Sequence, residues 1–212
     1  KPGSDVTNPR KSDETQCYTA ASIGDGAYLN LDNHVNGMAS IARMGKAIPQ
    51  TYILKVTNSS GKTLKEYKQP AAKQILKPDT AYIVSDMAAD PRASYLRGSC
   101  NEQNCYGAKF HRYKGWKTSI KTGTTNDKMD GLMVAWNKKF SAGIWVGNHS
   151  RTVAYYGQPE NMTGPIMQEF MQRALDTAGK ADNNTQPTGI KTDQAFITRS
   201  STGGGQSLPS SA

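Results

Sequence analysis

Three strand-like runs follow one another between Gly115 and Asn148, separated by short turn signals. The first is Gly115 to Thr125, and Asn126-Asp127-Lys128 follows it as a turn. The second is Leu132 to Trp136 and the third Ser141 to Asn148. The first run ends on Lys121-Thr122-Gly123-Thr124-Thr125. Period-2 alternation puts Thr122 and Thr124 on one face, with their hydroxyls about 7 Å apart, near twice the rise of a strand residue. Gly123 between them has no Cβ, so another backbone can approach closely. Lys121 adds a fixed cation. A cation, two hydroxyls and free strand amides suit a peptide with a terminal carboxylate, docked as an added strand.

Helical periodicity surrounds this region. Val35, Met38, Ala39 and Ala42 recur at i, i+3, i+4 and i+7, which predicts a helix over 33–44 with Asp32 as N-cap and Gly45 just beyond its end. Pro78 opens a second helix, with Asp79 favourable at the positive end of its dipole, running to about Ala89. Ala81, Val84, Ser85 and Ala88 form its expected packed face. Thr163 can cap a last helix, Pro165 to Ala178, with Ile166, Phe170 and Ala174 as its stripe and Met167 and Met171 widening it. Those methionines read as core. Between the first two helices, Thr51 to Thr57 and Lys62 to Tyr67 read as a hairpin around Asn58-Ser59-Ser60-Gly61, with Tyr52, Leu54 and Val56 on one side.

The ends differ from the middle. Residues 1–16 read as a loop or frayed end, and residues 180–212, rich in Ser, Gly, Thr and Asn, read as a disordered tail. That leaves 17–179 as the folded part. No run approaches 18 apolar residues, so no transmembrane helix is expected. The net charge is +9, with Lys and Arg spread along the chain and no aromatics interleaved among them as on a stacking platform. Nucleic acid is therefore not an expected partner. Cys100 and Cys105 stand in a polar segment, where a loop disulfide is the expected state, in keeping with an oxidising compartment. No fourth ligand accompanies them and His111, so no metal is expected. Cys17 is left over. For His34, His111 and His149 the sequence supports no particular Ser-His-Asp trio, and they read as exposed or hydrogen-bond-satisfied side chains.

Lys-Thr-Gly is one of three motifs of the penicillin-binding proteins and serine β-lactamases. The longer run KTGTTNDKMDGLMVAWNKKFSAGIWVGN resembles the strand pair after that motif in class A penicillin-binding proteins. There an Asp follows the motif, then an aromatic strand, then a strand like Gly-Ile-Trp-Val-Gly. Asp130 and Gly143-Ile144-Trp145-Val146-Gly147 match. The run from Ala20 to Leu64 is also similar, and the resemblance covers roughly Thr19 to Leu175. Where the family has Trp-Phe-Val-Gly-Tyr, this chain has Leu132-Met133-Val134-Ala135-Trp136.

The resemblance implies an α/β fold of the α+β type: an antiparallel sheet flanked by helices, as a partial domain. It implies acyl transfer, in which a serine attacks the bond between two D-alanines closing a peptidoglycan stem peptide. Such chemistry requires a nucleophile beside a base and donors where the oxyanion develops. Residue by residue, Lys121 would keep the cleft electropositive, and the Thr122 and Thr124 hydroxyls would bind the substrate carboxylate. The Thr124 N–H would supply one oxyanion donor. Gly123 would permit close packing, and Thr125 would be mainly structural. The nucleophile of the family comes from Ser-x-x-Lys at a helix start, and a Ser-x-Asn element lines the opposite wall. Neither occurs in a suitable setting. Ser59-Ser60-Gly61-Lys62 fits the first by spelling but falls in a hairpin turn.

The expected protein is thus part of a D,D-transpeptidase, extracytoplasmic and membrane-anchored through a missing N-terminal part, with the nucleophile-bearing half absent from this chain. Its implied partners are stem peptides ending in D-Ala-D-Ala and β-lactam inhibitors, with no cofactor. The alternatives are a D,D-carboxypeptidase or β-lactamase-type hydrolase, or a non-catalytic cell-wall-binding module.

Overall fold

A computed structural model describes residues 29–90, 111–124, 130–148, 150 and 160–190. The fold is α+β, a sheet between helices. Its element order is α1 (Leu31–Ala42), β1 (Lys46–Ala47), β2 (Lys55–Thr57), β3 (Thr63–Glu66), β4 (Lys73–Gln74), α2 (Pro78–Ala88), a 3₁₀ turn (Tyr113–Gly115), β5 (Ser119–Thr124), β6 (Asp130–Trp136), β7 (Ser141–Gly147) and α3 (Glu160–Ala178). The main sheet has the order β5-β6-β7, antiparallel throughout.

Register sorts the sheet into two faces. Ile120 pairs with Ala135, and Thr122 with Met133, on the face covered by α3. Lys121 pairs with Val134, and Gly123 with Leu132, on the opposite face, which α1 and α2 cover. On the α3 side the core joins Ile120, Met133, Ala135 and Ala142 to Met167 and Met171. On the other side Val134 and Trp136 meet Ala42, Val35, Met38 and Ile41 of α1 and Ala88 of α2. Burying a Met, Val or Leu side chain contributes about 1.5–3 kcal/mol each, so these two layers hold β5 in place.

Several expected boundaries and faces are corrected. The last helix begins at Glu160, so Thr163 lies inside it and is fully buried rather than capping it. Pro165 falls within the helix and removes the bond to the carbonyl of residue 161. The helix runs through because its stripe is Met167, Met171 and Leu175, all fully buried, while Ile166 and Phe170 are about half exposed. In α2, Ala81 is buried but Val84 is exposed. In α1, Asp32 sits in the first turn and Asn30 is the N-cap, without a side-chain cap bond. Asp32 instead accepts from the Asn33 amide at 2.8 Å and from the Tyr52 hydroxyl. Gly45 does end the turn after α1, at φ +84, and a Cβ there would meet the Leu76 carbonyl oxygen at 2.2 Å. Ordered strand in the hairpin shortens to 55–57 and 63–66, and Gly115 stands in the 3₁₀ turn before β5. β6 gains Asp130 and Gly131.

Residues 1–28, 91–110 and 191–212 lie outside the described residues, so the frayed end, Cys17, the Cys100–Cys105 pair and most of the tail do too. The first tail residues are described and make bonds. Asn183 accepts from the Lys117 amide at 2.8 Å and donates to the Gly115 carbonyl at 2.9 Å. Asn184 donates to the Ala42 carbonyl at 2.9 Å. No helix among the described residues is long and apolar enough to cross a membrane.

Candidate functional site

β5 is held at its beginning and open at its end. The Ser119 hydroxyl donates to the Ser85 carbonyl at 2.6 Å, and the Trp136 indole donates to the Ser85 hydroxyl at 3.0 Å. Lys117 forms an ion pair with Asp86 and stands 5.6 Å from the Tyr82 ring centre. Asn137 donates to the Thr118 hydroxyl at 3.1 Å. His111 is buried with its Nδ1 2.7 Å from the Thr118 carbonyl oxygen. Burial pushes its imidazole below the usual histidine range, against the opposing hydrogen bond to Thr118. The neutral ring, with its proton on Nδ1, fits that contact. His111 is therefore a staple under β5, as the sequence leads one to expect of it, and His149 lies outside the described residues.

Ser119 and Ile120 are buried, but from Lys121 onward the strand emerges. Lys121 and Thr124 are exposed, and Thr122 and Gly123 half-buried. Among the described residues, β5 pairs only with β6, so its outer edge is open. Alternation sends Lys121 and Gly123 toward the α1 face and Thr122 and Thr124 toward the α3 face. A ligand lying along the outer edge can therefore touch the lysine and both threonines. The Lys121 ammonium folds back to donate to the Thr122 carbonyl at 2.6 Å. Thr125 lies outside the described residues.

Two glycines of the third strand have structural causes that the sequence did not reveal. A Cβ on Gly143 would stand 2.4 Å from Val35 and 2.9 Å from Leu31, so α1 packs directly on β7 there. A Cβ on Gly147 would stand 2.4 Å from the Asp130 carboxylate and 2.5 Å from the Trp145 ring. Gly123 is different, since a Cβ there would meet only Leu132, at 3.4 Å, an ordinary contact. This chain's own packing tolerates a side chain at Gly123.

Ser59-Ser60-Gly61-Lys62 is a turn, as expected. Asn58 Oδ1 accepts from the Ser60 and Lys62 amides at 3.1 and 2.9 Å, and Gly61 has φ +80. The expectation that no Ser-x-Asn precedes Lys121 overlooks Ser99-Cys100-Asn101, a formal match in the polar segment. It lies outside the described residues. Among those residues no group of His, Cys, Asp and Glu could hold a metal.

No family model matches the chain. Among curated proteins, penicillin-binding protein 2D of Bacillus subtilis is 29% identical over 144 residues, covering 66% of this chain and 20% of that protein. Penicillin-binding protein 1A of Clostridium perfringens is 28% identical over 171 residues, covering 77% of this chain and 20% of that protein. Among solved structures, PonA1 of Mycobacterium tuberculosis in complex with penicillin V superposes with a TM-score of 0.63 at 21% identity, over 86% of this chain and 47% of that one. Penicillin-binding protein 1A of Haemophilus influenzae gives 0.61 at 15% identity, over 84% of this chain and 31% of that one. The fold is therefore that of a penicillin-binding transpeptidase-like domain. Its sequence relatives are penicillin-binding proteins, and the chain is similar to one part of them. It spans about a fifth of the length of the curated relatives.

Proposed function

We propose that β5 is the substrate-binding strand of a serine D,D-transpeptidase that cross-links peptidoglycan stem peptides. The carrying observation is the open, exposed end of β5, Lys121 to Thr124, on a strand clamped at its other end. A stem peptide ending in D-Ala-D-Ala would lie along that edge. The Thr122 and Thr124 hydroxyls would donate to its carboxylate, and Lys121 would keep the cleft positive and aid an anion bound there. The Thr124 amide would donate to the oxyanion. In the reaction a serine oxygen attacks the carbonyl carbon of the D-Ala-D-Ala bond and its proton passes to a base. The terminal D-alanine leaves with a proton, and an amine from a second stem then displaces the serine. Serine and base would come from outside the motif-bearing residues of this chain. β-Lactams, which share the carboxylate and a reactive carbonyl, would occupy the same edge. A hydrolytic outcome of the same chemistry is less favoured, since the strands around Lys121 resemble those of class A penicillin-binding proteins.

The intact protein would be extracytoplasmic and membrane-anchored, and Cys100 and Cys105 of the polar segment would be bonded to each other. Amide NMR of the chain, titrated with a peptide ending in D-Ala-D-Ala, tests the strand assignment. Residues 121–124 are expected to shift, and the same peptide with a carboxamide end to shift them far less. Equal shifts for both peptides, or none in β5, would overturn it.

A further inference from the structure

We propose that the β2–β3 hairpin is a docking element for a strand-forming polypeptide that carries apolar and acidic side chains on both of its faces. All seven strand residues of this hairpin are exposed. Ile53, Leu54 and Leu64 are 64%, 66% and 62% exposed. A two-stranded hairpin without a covering layer is marginal in water, and contiguous exposed aliphatics mark interaction surfaces. The hairpin is nonetheless well formed, with Lys55 opposite Glu66 and Val56 opposite Lys65. Its turn is tied by Asn58, so local bonds set its shape without burying its side chains.

Charge selects the occupant. Between residues 46 and 77 the sequence has seven lysines and one acid, Glu66. The spread of basic residues expected from the whole chain is thus uneven, and this segment carries most of the net charge of +9. A second copy of the chain would bring like charge against like. Geometry then separates a polypeptide from a lipid surface. Alternation puts Leu64 and Lys55 on one face and Val56 and Lys65 on the other. Apolar and cationic groups therefore occur on both faces. A bilayer surface covers one face, whereas a strand added along the hairpin's edge, open among the described residues, can engage both. The strand-forming partner that fits has pairs of apolar residues alternating with pairs of acidic ones, so that each of its faces carries both kinds.

The inference does not depend on the role of β5. It is tested on the whole chain with a short synthetic peptide that repeats Leu-Leu-Glu-Glu. The controls are the same peptide with Ser for Leu, and vesicles of phosphatidylglycerol. Binding is read by fluorescence anisotropy and by hydrogen exchange at residues 55–57 and 63–66. The Glu-Leu peptide is expected to bind and to protect those amides. Lys55→Glu with Lys65→Glu should weaken it by about tenfold or more, because close charge pairs set such contacts. Leu54→Ser with Leu64→Ser should weaken it comparably, with the β5–β7 amides still protected as proof of folding. Equal binding of the Glu-Ser peptide would overturn the proposal by reducing it to bare charge. So would vesicle binding with the same variant dependence, self-association through the hairpin, or the failure of the Glu-Leu peptide to bind.

Discussion

The Trp145 indole donates to the Asp130 carboxylate at 3.2 Å, diagonally across β6 and β7, and Gly147 leaves the room for it. The pair fixes the start of β6, on the same sheet face as Lys121 and Gly123. The glycines of this sheet are therefore expected to separate into two kinds. Gly147→Ala should displace Trp145 and cost about 1–2 kcal/mol, and Gly143→Ala, which drives a methyl into Val35 and Leu31, about 1–3 kcal/mol. Gly123→Ala should change stability by less than about 1 kcal/mol while impairing the binding of a D-Ala-D-Ala peptide. Urea unfolding checks the first two. A large loss of stability in Gly123→Ala would show that this glycine serves the fold and not a ligand.

His111 gives the fold a pH dependence. Its folded-state pKa lies below the ordinary 6.5, chiefly through burial; the hydrogen bond to Thr118 opposes this, Arg112 adds to the lowering and Asp90 offsets a part of it. Above about 6.5 the ring is neutral in both states and stability is full. As pH falls below that value the unfolded chain takes up the proton first, so stability declines until the folded pKa is reached. Thermal unfolding across this window should show a falling midpoint in the wild type and a flatter profile in His111→Gln. An unchanged slope in the variant would remove His111 as the cause.

How much of this was legible in the residues depends on the range of the interaction. The three strands and three helices could be read because alternation and i, i+4 spacing are local signals. The threonine face of β5 came out as expected, since it follows from strand geometry alone. The start of α3 did not, because Pro165 looks like a first-turn residue. It is tolerated further in, where Met167, Met171 and Leu175 supply the burial that outweighs one lost hydrogen bond. The faces of Ile166 and Val84 were also misjudged, since apolar side chains are commonly left in water and only tertiary packing selects among them. Gly143 and Gly147 could be matched to a pattern, but their causes lie in Val35, Leu31 and Asp130, up to 112 positions away.

The same limit applies to the tail. Its composition reads as disordered from 180, yet Asn183 bridges Lys117 and Gly115 and Asn184 bonds to Ala42. Asn183→Ala is expected to cost about 1 kcal/mol, the net value of an ordinary hydrogen bond. Hydrogen exchange at Lys117 should rise with it. If that amide exchanges at the wild-type rate in the variant, the bridge contributes nothing in solution.

Lys121 is exposed, and its ammonium bonds only to the neighbouring Thr122 carbonyl among the contacts described for it. Lys121→Ala should therefore leave the unfolding midpoint in urea nearly unchanged. In the intact protein it should slow acylation by benzylpenicillin by about 10²- to 10³-fold, the usual effect of losing one preorganised group at a developing charge. Stopped-flow acylation measures this. A near-wild-type rate would end the role proposed for Lys121.

The chain by itself is not expected to form an acyl-enzyme with a β-lactam. It presents the strand edge proposed to bind a carboxylate and the Thr124 amide, yet its one Ser-x-x-Lys sits in a turn closed by Asn58. An unactivated serine hydroxyl is a weak nucleophile at neutral pH, because acylation needs a base within hydrogen-bond reach to take its proton. The helical setting that places Lys one turn from Ser is absent at Ser59, where Lys62 directly precedes the return strand of the hairpin. Intact-mass spectrometry after incubation with benzylpenicillin should therefore show the unmodified mass. A stoichiometric adduct mapping to Ser59 would mean that the turn rearranges into an active site. One mapping to Ser99 would mean that the Ser-x-Asn serine, outside the described residues, is the nucleophile.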